Sequence, residues 1–220
     1  VKQVLVREGD VVKEGQTLIE LDAAVARANY ESVRQRYLGF RAMQGRLIAE
    51  QTGASKVDFH PDLKAAASDP LIRSQMLTQE QLFQSRRSAL RADLQGIEEG
   101  VQGQQALLQA YEGMSANRRS QLALLQDELK HTRELVKEGY TPRNRQLELE
   151  RAQAENQTSI AETQGNIMRA RHSISEFRQR AISRQQEYRK EVETQLADVA
   201  REVQSDAEKL VAVTADLERT

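Results

Sequence analysis

The chain has 220 residues, of which 30% are charged and only 4% aromatic, with no Trp and no Cys. A deep globular core needs bulky residues in quantity, so burial must come from narrow seams between long helices; the lack of Cys also removes disulfide frameworks and thiolate metal sites. Lys plus Arg number 32 against 33 Asp plus Glu, which leaves no basic excess for binding nucleic acid, and no run of about 18 apolar residues exists to span a bilayer.

The first 22 residues alternate as strands do. Val4 and Val6 share one face with Leu5 opposite, and Thr17, Ile19 and Leu21 repeat the pattern. Gly9-Asp10 and Gly15-Gln16 read as turns. Two or three short strands are expected here. The segment resembles the first half of a lipoyl-type β-sandwich, and an ordinary β-hairpin is the plainer alternative. A modified-lysine carrier is not expected, because Lys13 sits on the wrong turn and helical sequence follows Leu21-Asp22 directly.

Residues 23–51 carry helix-spaced apolar positions, Val25, Ala28, Val33, Tyr37, Met43 and Leu47 among them. Thr52-Gly53 ends this first helix, and 52–69 is expected to be loop, around Phe59-His60-Pro61. Asp69 then caps a second helix with Pro70 at its first position.

The second helix is expected over 70–138. Met76, Phe83, Leu90 and Ile97 recur every seven residues, as do Leu94, Val101 and Leu108, then Leu122, Leu129 and Val136. That repeat is the coiled-coil signal, with phase shifts that imply stutters. Gly96, Gly100, Gly103 and Gly113 interrupt it. They admit a close neighbour, mark a bend, or are weak spots that a long helix tolerates.

Gly139 stops this helix, and Thr141-Pro142 starts the next. So short a turn, at 139–142, forces the two helices antiparallel. The third helix is expected over 143–213, with Ile160, Ile167, Ile174, Ala181 and Tyr188 in register. At 1.5 Å per residue the second and third helices are about 100 and 105 Å long, a matched pair, and the first is about 43 Å. The fold class is therefore mainly α: a long antiparallel coiled-coil hairpin, an extra helix at its base, and a small β half-lipoyl (barrel-sandwich hybrid) segment. The base is expected to be three-helical and the remainder two-helical. Residues 214–220 are expected to begin the return to the lipoyl-like part.

No catalytic constellation, cofactor loop or metal spacing stands out, so the chain is not expected to be an enzyme. His60, His131 and His172 share no ligand spacing. The candidate site is the hairpin tip: Arg133, Leu135, Val136, Glu138, Gly139, Tyr140, Thr141, Pro142 and Arg143. Tyr and Arg are enriched at contact hot spots, and a two-helix seam has little room to bury a Tyr at its end. Tyr140 is either a docking knob or a lid over the seam.

The pattern Val-x-Glu-Gly-Asp-x-Val-x-x-Gly-Gln-x-Leu-x-x-Leu-Asp over 6–22, the Phe59-His60-Pro61 loop, and Leu-Val-x-Glu-Gly-Tyr-x-Pro-Arg over 135–143 together resemble the HlyD-type membrane fusion proteins of bacterial type I secretion. The nearest branch is the AprE/PrtE/LipC type, which serves protease and lipase exporters. The resemblance implies a periplasmic adaptor, anchored in the inner membrane of a Gram-negative bacterium. It implies an ABC transporter and a TolC-type outer-membrane channel as partners, with the tip docking the channel and the adaptors forming a ring, a hexamer. It also implies a membrane helix and a β-barrel domain in the full-length protein. In drug-efflux relatives the tip carries a spaced Arg, Leu and Ser. Here Leu135 matches the Leu, while His131 and Pro142 occupy the other two positions and Arg133 is the nearby cation. The other readings are a structural coiled-coil tether and a drug-efflux adaptor.

Overall fold

The computed structural model describes residues 3–7, 9–20 and 23–219. Val1, Lys2, Glu8, Leu21, Asp22 and Thr220 lie outside the described residues, and with them the end of the expected alternation at Leu21 and the turn after Asp22. The chain divides into two compact units, one drawn from 1–90 and 186–220, the other from 91–185.

In the first unit, β1 (Gln3–Val4) and β2 (Ile19–Glu20) pair antiparallel, Gln3 opposite Glu20 and Val4 opposite Ile19. Two turns built alike lie between them. The Asp10 N–H donates to Arg7 O and the Gln16 N–H to Lys13 O, with Gly9 and Gly15 at φ 97° and 82°. A positive φ at the third position of a turn is where glycine is required. Each turn is also closed by its last side chain: Asp10 Oδ2 accepts from Arg7 N–H, and Gln16 Oε1 from Lys13 N–H. The ladder is only two residues a strand, and Val4, Leu5, Val11, Val12, Leu18 and Ile19 face water. This is less sheet than the expected half-sandwich. So short a two-stranded ribbon has no packed face to stabilise longer strands.

The helix α1 runs Ala24–Thr52 and ends on Gly53 in the left-handed region at φ 67°. The expected loop then contains a further helix, α2 (Pro61–Ala65). His60 caps it, its Nδ1 accepting from Asp62 N–H at 3.3 Å, and Pro61 supplies the first helical φ. Five residues are too few to show periodicity in a sequence, so the reading of 52–69 as all loop is corrected here. Leu63 is fully buried. Val57 and Phe59 lie against α1 at Gly45, where an added Cβ would stand 3.4 Å from both Asp58 O and the Phe59 ring. The Tyr37 hydroxyl donates to Asp62 at 2.6 Å. The segment thus returns along α1.

α3 runs Pro70–Lys137, its first turn capped by Asp69 Oδ1, which accepts from Leu71 N–H at 3.0 Å. α4 runs Arg143–Glu218. The expected stop at 213 is corrected. Residues 214–218 contain no Gly or Pro, and Thr214, Ala215 and Leu217 remain partly buried. The helix therefore continues where a return toward the β segment was expected.

The core of the first unit joins Leu38, Ala42 and Leu47 of α1, Leu63 of α2, Ile72 and Phe83 of α3, and Val192, Val199 and Val203 of α4. Charged residues cross it. Asp206 is fully buried and takes both the Nε and an Nη of Arg36, linking α4 to α1. Glu50, also buried, pairs with Arg46 at 2.5 Å and with Arg86 at 3.1 Å, and Arg86 reaches Glu191 at 3.0 Å. Buried charge pairs add little net stability when intact, but breaking one leaves an uncompensated charge.

The second unit is the 91–185 part of α3 and α4 with the turn between them. Val101 and Leu129 of α3 and Leu149, Ile167, Ala170 and Ile174 of α4 form its buried seam. A polar layer interrupts the seam: Arg118 Nη1 donates to Ser159 O at 2.5 Å and to Thr163 Oγ1 at 2.7 Å, and Thr163 is buried. Among the four glycines of α3, Gly100 alone touches a neighbour. A Cβ there would stand 2.7 Å from the Phe177 ring, whereas Gly96, Gly103 and Gly113 meet nothing.

Candidate functional site: the hairpin turn

The turn begins where α3 runs out of partners for its last carbonyls. The Gly139 N–H donates to Val136 O at 3.1 Å and the Tyr140 N–H to Leu135 O at 2.9 Å. This pair is a Schellman close, and it requires the left-handed φ of 82° that Gly139 adopts. The Arg145 N–H donates to Pro142 O at 3.1 Å as α4 starts. Three backbone hydrogen bonds thus close the corner, and most of its side chains face water.

Tyr140 is 79% exposed, which excludes the lid arrangement in this conformation. Leu135 is 44% exposed. Glu138, Gly139, Pro142 and Arg143 are exposed as well. Val136 and Thr141 are half-buried, Val136 continuing the seven-residue repeat of Leu122 and Leu129. Arg133 is not a free cation, because it pairs with Glu150 at 2.9 Å across the hairpin. Hydrogen bonds from Gln146 and then Arg133 hold the Glu150 carboxyl below its ordinary range.

Two features near the turn take their meaning from the structure: the partner of Arg145, a cation that the sequence places beside Tyr140, and an exposed leucine. Arg145 pairs with Glu128 at 2.6 Å, and that hydrogen bond raises the guanidinium pKa further. Leu124, three turns back from Leu135, is 73% exposed. Its spacing of eleven residues from Leu135 was visible, but it gains meaning only once the phase of the seam is known. The corner therefore offers an aromatic knob, a leucine and a set of braced charges, which suits contact with another protein and offers no bond-making chemistry. Among the described residues no group of three His, Asp or Glu is arranged to hold a metal ion. His60 caps α2, His131 lies 3.6 Å from Asp127, and His172 lies 3.4 Å from Glu176.

The family model described as "AprE, long alpha-helical hairpin" matches residues 26–216. The chain is 36% identical over 198 residues to the alkaline protease secretion protein AprE of Pseudomonas aeruginosa, covering 90% of this chain and 46% of that protein. It is 34% identical over 199 residues to the proteases secretion protein PrtE of Dickeya chrysanthemi, covering 90% and 44%. The type I secretion system membrane fusion protein PrsE of Rhizobium meliloti is 29% identical over 222 residues, covering 100% and 50%. The chain thus spans about half the length of the curated relatives it matches. Among solved structures, the soluble domain of LipC, a membrane fusion protein of a type I secretion system, aligns with a TM-score of 0.92 at 36% identity, over 99% of this chain and 82% of that one.

Proposed function

The chain belongs to the family of AprE-type long α-helical hairpins, and on that premise we propose that it is the hairpin part of a periplasmic adaptor for type I secretion. The adaptor joins an inner-membrane ABC transporter to a TolC-type outer-membrane channel, and the exported cargo is a protein, a protease or lipase. The likeness to AprE, PrtE and the LipC soluble domain supports this reading. The adaptor stands in the periplasm of a Gram-negative bacterium, held at the inner membrane, and works as a ring of copies. The β1–β2 ribbon is half of a lipoyl-like domain that the rest of the protein completes. No helix among the described residues is long and apolar enough to cross a membrane.

In this reading the turn docks the channel, through Arg133, Leu135, Val136, Glu138, Gly139, Tyr140, Thr141, Pro142 and Arg143. The observation that carries it is the 79% exposure of Tyr140 on a backbone closed by its own hydrogen bonds. An aromatic side chain held in water at a rigid corner gains contact area at little entropic cost when a partner covers it. Tyr140→Ala and Leu135→Asp are therefore expected to abolish export of the cargo while leaving the far-ultraviolet circular dichroism unchanged. Normal export by both variants would remove the turn as the contact.

A further inference from the structure

A groove of about 390 Å³ lies between α1 and α3 in the first unit, a size at which clefts hold ligands. Gly39 keeps it open on the α1 side, where a Cβ would already stand 3.5 Å from Gln75 Oε1 of α3. Phe40 and Met43 of α1 supply its apolar surface. Gln35 of α1 and Gln75 and Gln79 of α3 bring three side-chain amides to it. Arg46 Nε donates to Gln79 Oε1 at 2.8 Å, which fixes that amide and leaves its NH2 group as the donor. Gln75 Oε1 is buried and accepts no hydrogen bond among the described residues. A buried acceptor without a donor is destabilising, so this oxygen calls for a donor from outside the chain.

The same face continues along α3. Leu71 stands four residues before Gln75 and Leu82 four after Thr78, and they are 58% and 41% exposed. From Leu71 to Leu82 the face is about 16 Å long, the reach of about five residues of extended chain. Of the residues that line the groove only Arg36 is ionic, and both its Nε and an Nη donate to the buried Asp206. A phosphate, a carboxylate or a polyanion therefore finds no counter-charge. A side-chain amide offers a carbonyl acceptor and N–H donors, the same pair that a main-chain peptide group offers in return. Met43 adapts its shape to different neighbours, so such a lining reads main chain more than sequence.

We propose that this groove holds an extended, unfolded segment of the exported polypeptide. The segment exchanges main-chain hydrogen bonds with Gln35, Gln75 and Gln79 and lays an apolar side chain against Phe40 and Met43. The inference adds a cargo contact to the adaptor proposed above and rests on that reading. Few hydrogen bonds and no ion pair hold the guest, so it leaves as readily as it enters, which suits a chain in transit.

Two variants of the complete protein test the site. Gln75→Leu removes the amide and keeps most of the volume, and Gly39→Leu puts a side chain into the groove. The probe is a short fluorescein-labelled peptide in which Leu alternates with Ser, read by fluorescence anisotropy on the purified protein. Saturable binding is expected, weakened about tenfold or more in both variants. It should be unchanged from low to high salt, because no ion pair is involved. Gln75→Leu is expected to melt no lower than the unaltered protein, since it removes an unpartnered buried oxygen. A role confined to packing would instead lower the melt and leave binding alone. No binding, equal binding by both variants, loss of binding in salt, or displacement of the peptide by an uncharged oligosaccharide such as chitotriose would each overturn the inference. In exporting cells a photo-crosslinking amino acid at position 35 is expected to join the exported protein. Absence of that adduct while Tyr140→Ala still abolishes export would overturn the choice of guest. Normal export by Tyr140→Ala would count against the docking reading and leave the peptide result standing.

Discussion

Gly100 and its neighbours in α3 show how one residue type serves different ends. Phe177 fills the space beside Gly100, where a Cβ would lie 2.7 Å from the ring, and Arg180 stacks over the same ring at 5.4 Å. Gly96, Gly103 and Gly113 have open space, so they are weak spots without a packing role. Gly96→Ala is expected to raise unfolding free energy by roughly 0.5–1 kcal/mol, the usual cost of Gly in a helix. Gly100→Ala gains nothing net, because the ring must move to admit the methyl group. Urea unfolding of the two variants checks the difference; equal stabilisation would mean that Phe177 has no fixed seat. Sequence alone left these glycines equivalent, since the partner that distinguishes Gly100 comes from 77 residues away.

At the level of elements, the α1–α4 contact depends on a carboxylate. The hydrogen bond from Arg36, with help from Lys209, holds the Asp206 pKa below its ordinary value against the opposing effect of burial. A depressed folded-state pKa means that the ionised form is the stabilising one. Its contribution is complete above the unfolded value, about 3.9, and is lost as pH falls through the lowered folded value. The melting temperature of the chain should therefore drop on acidification below about pH 4. In Asp206→Asn it should start lower at neutral pH and fall less steeply in acid; an unchanged acid limb would assign the effect to other carboxylates. The long elements were legible because each buries one residue every three or four along an otherwise polar helix, as Ile167, Ala170 and Ile174 do. The α2 helix was not, because it is fixed by His60 and by Leu63 docking on α1, contacts that a five-residue stretch does not announce. The last turn of α4 was missed for a related reason. Residues 214–220 are expected to begin the return to the lipoyl-like part, although nothing in 214–218 breaks a helix.

For the whole molecule, the family is shown by a match over 26–216, and the docking role of the turn is the proposal built on it. Tyr140 could be singled out from sequence because Gly139, Thr141 and Pro142 punctuate the corner around it. The exposed Leu124 could not, because it counts as misplaced only once the seam has a direction. The corner is proposed as a protein-contact surface, held in shape by the Schellman bonds at Gly139 and Tyr140. The most direct test is a photo-crosslinking amino acid at position 140 of the complete protein in exporting cells. An adduct with the outer-membrane channel from position 140, absent when the probe stands at the exposed Asn117, is the predicted result. A channel adduct from position 117 with none from position 140 would contradict it.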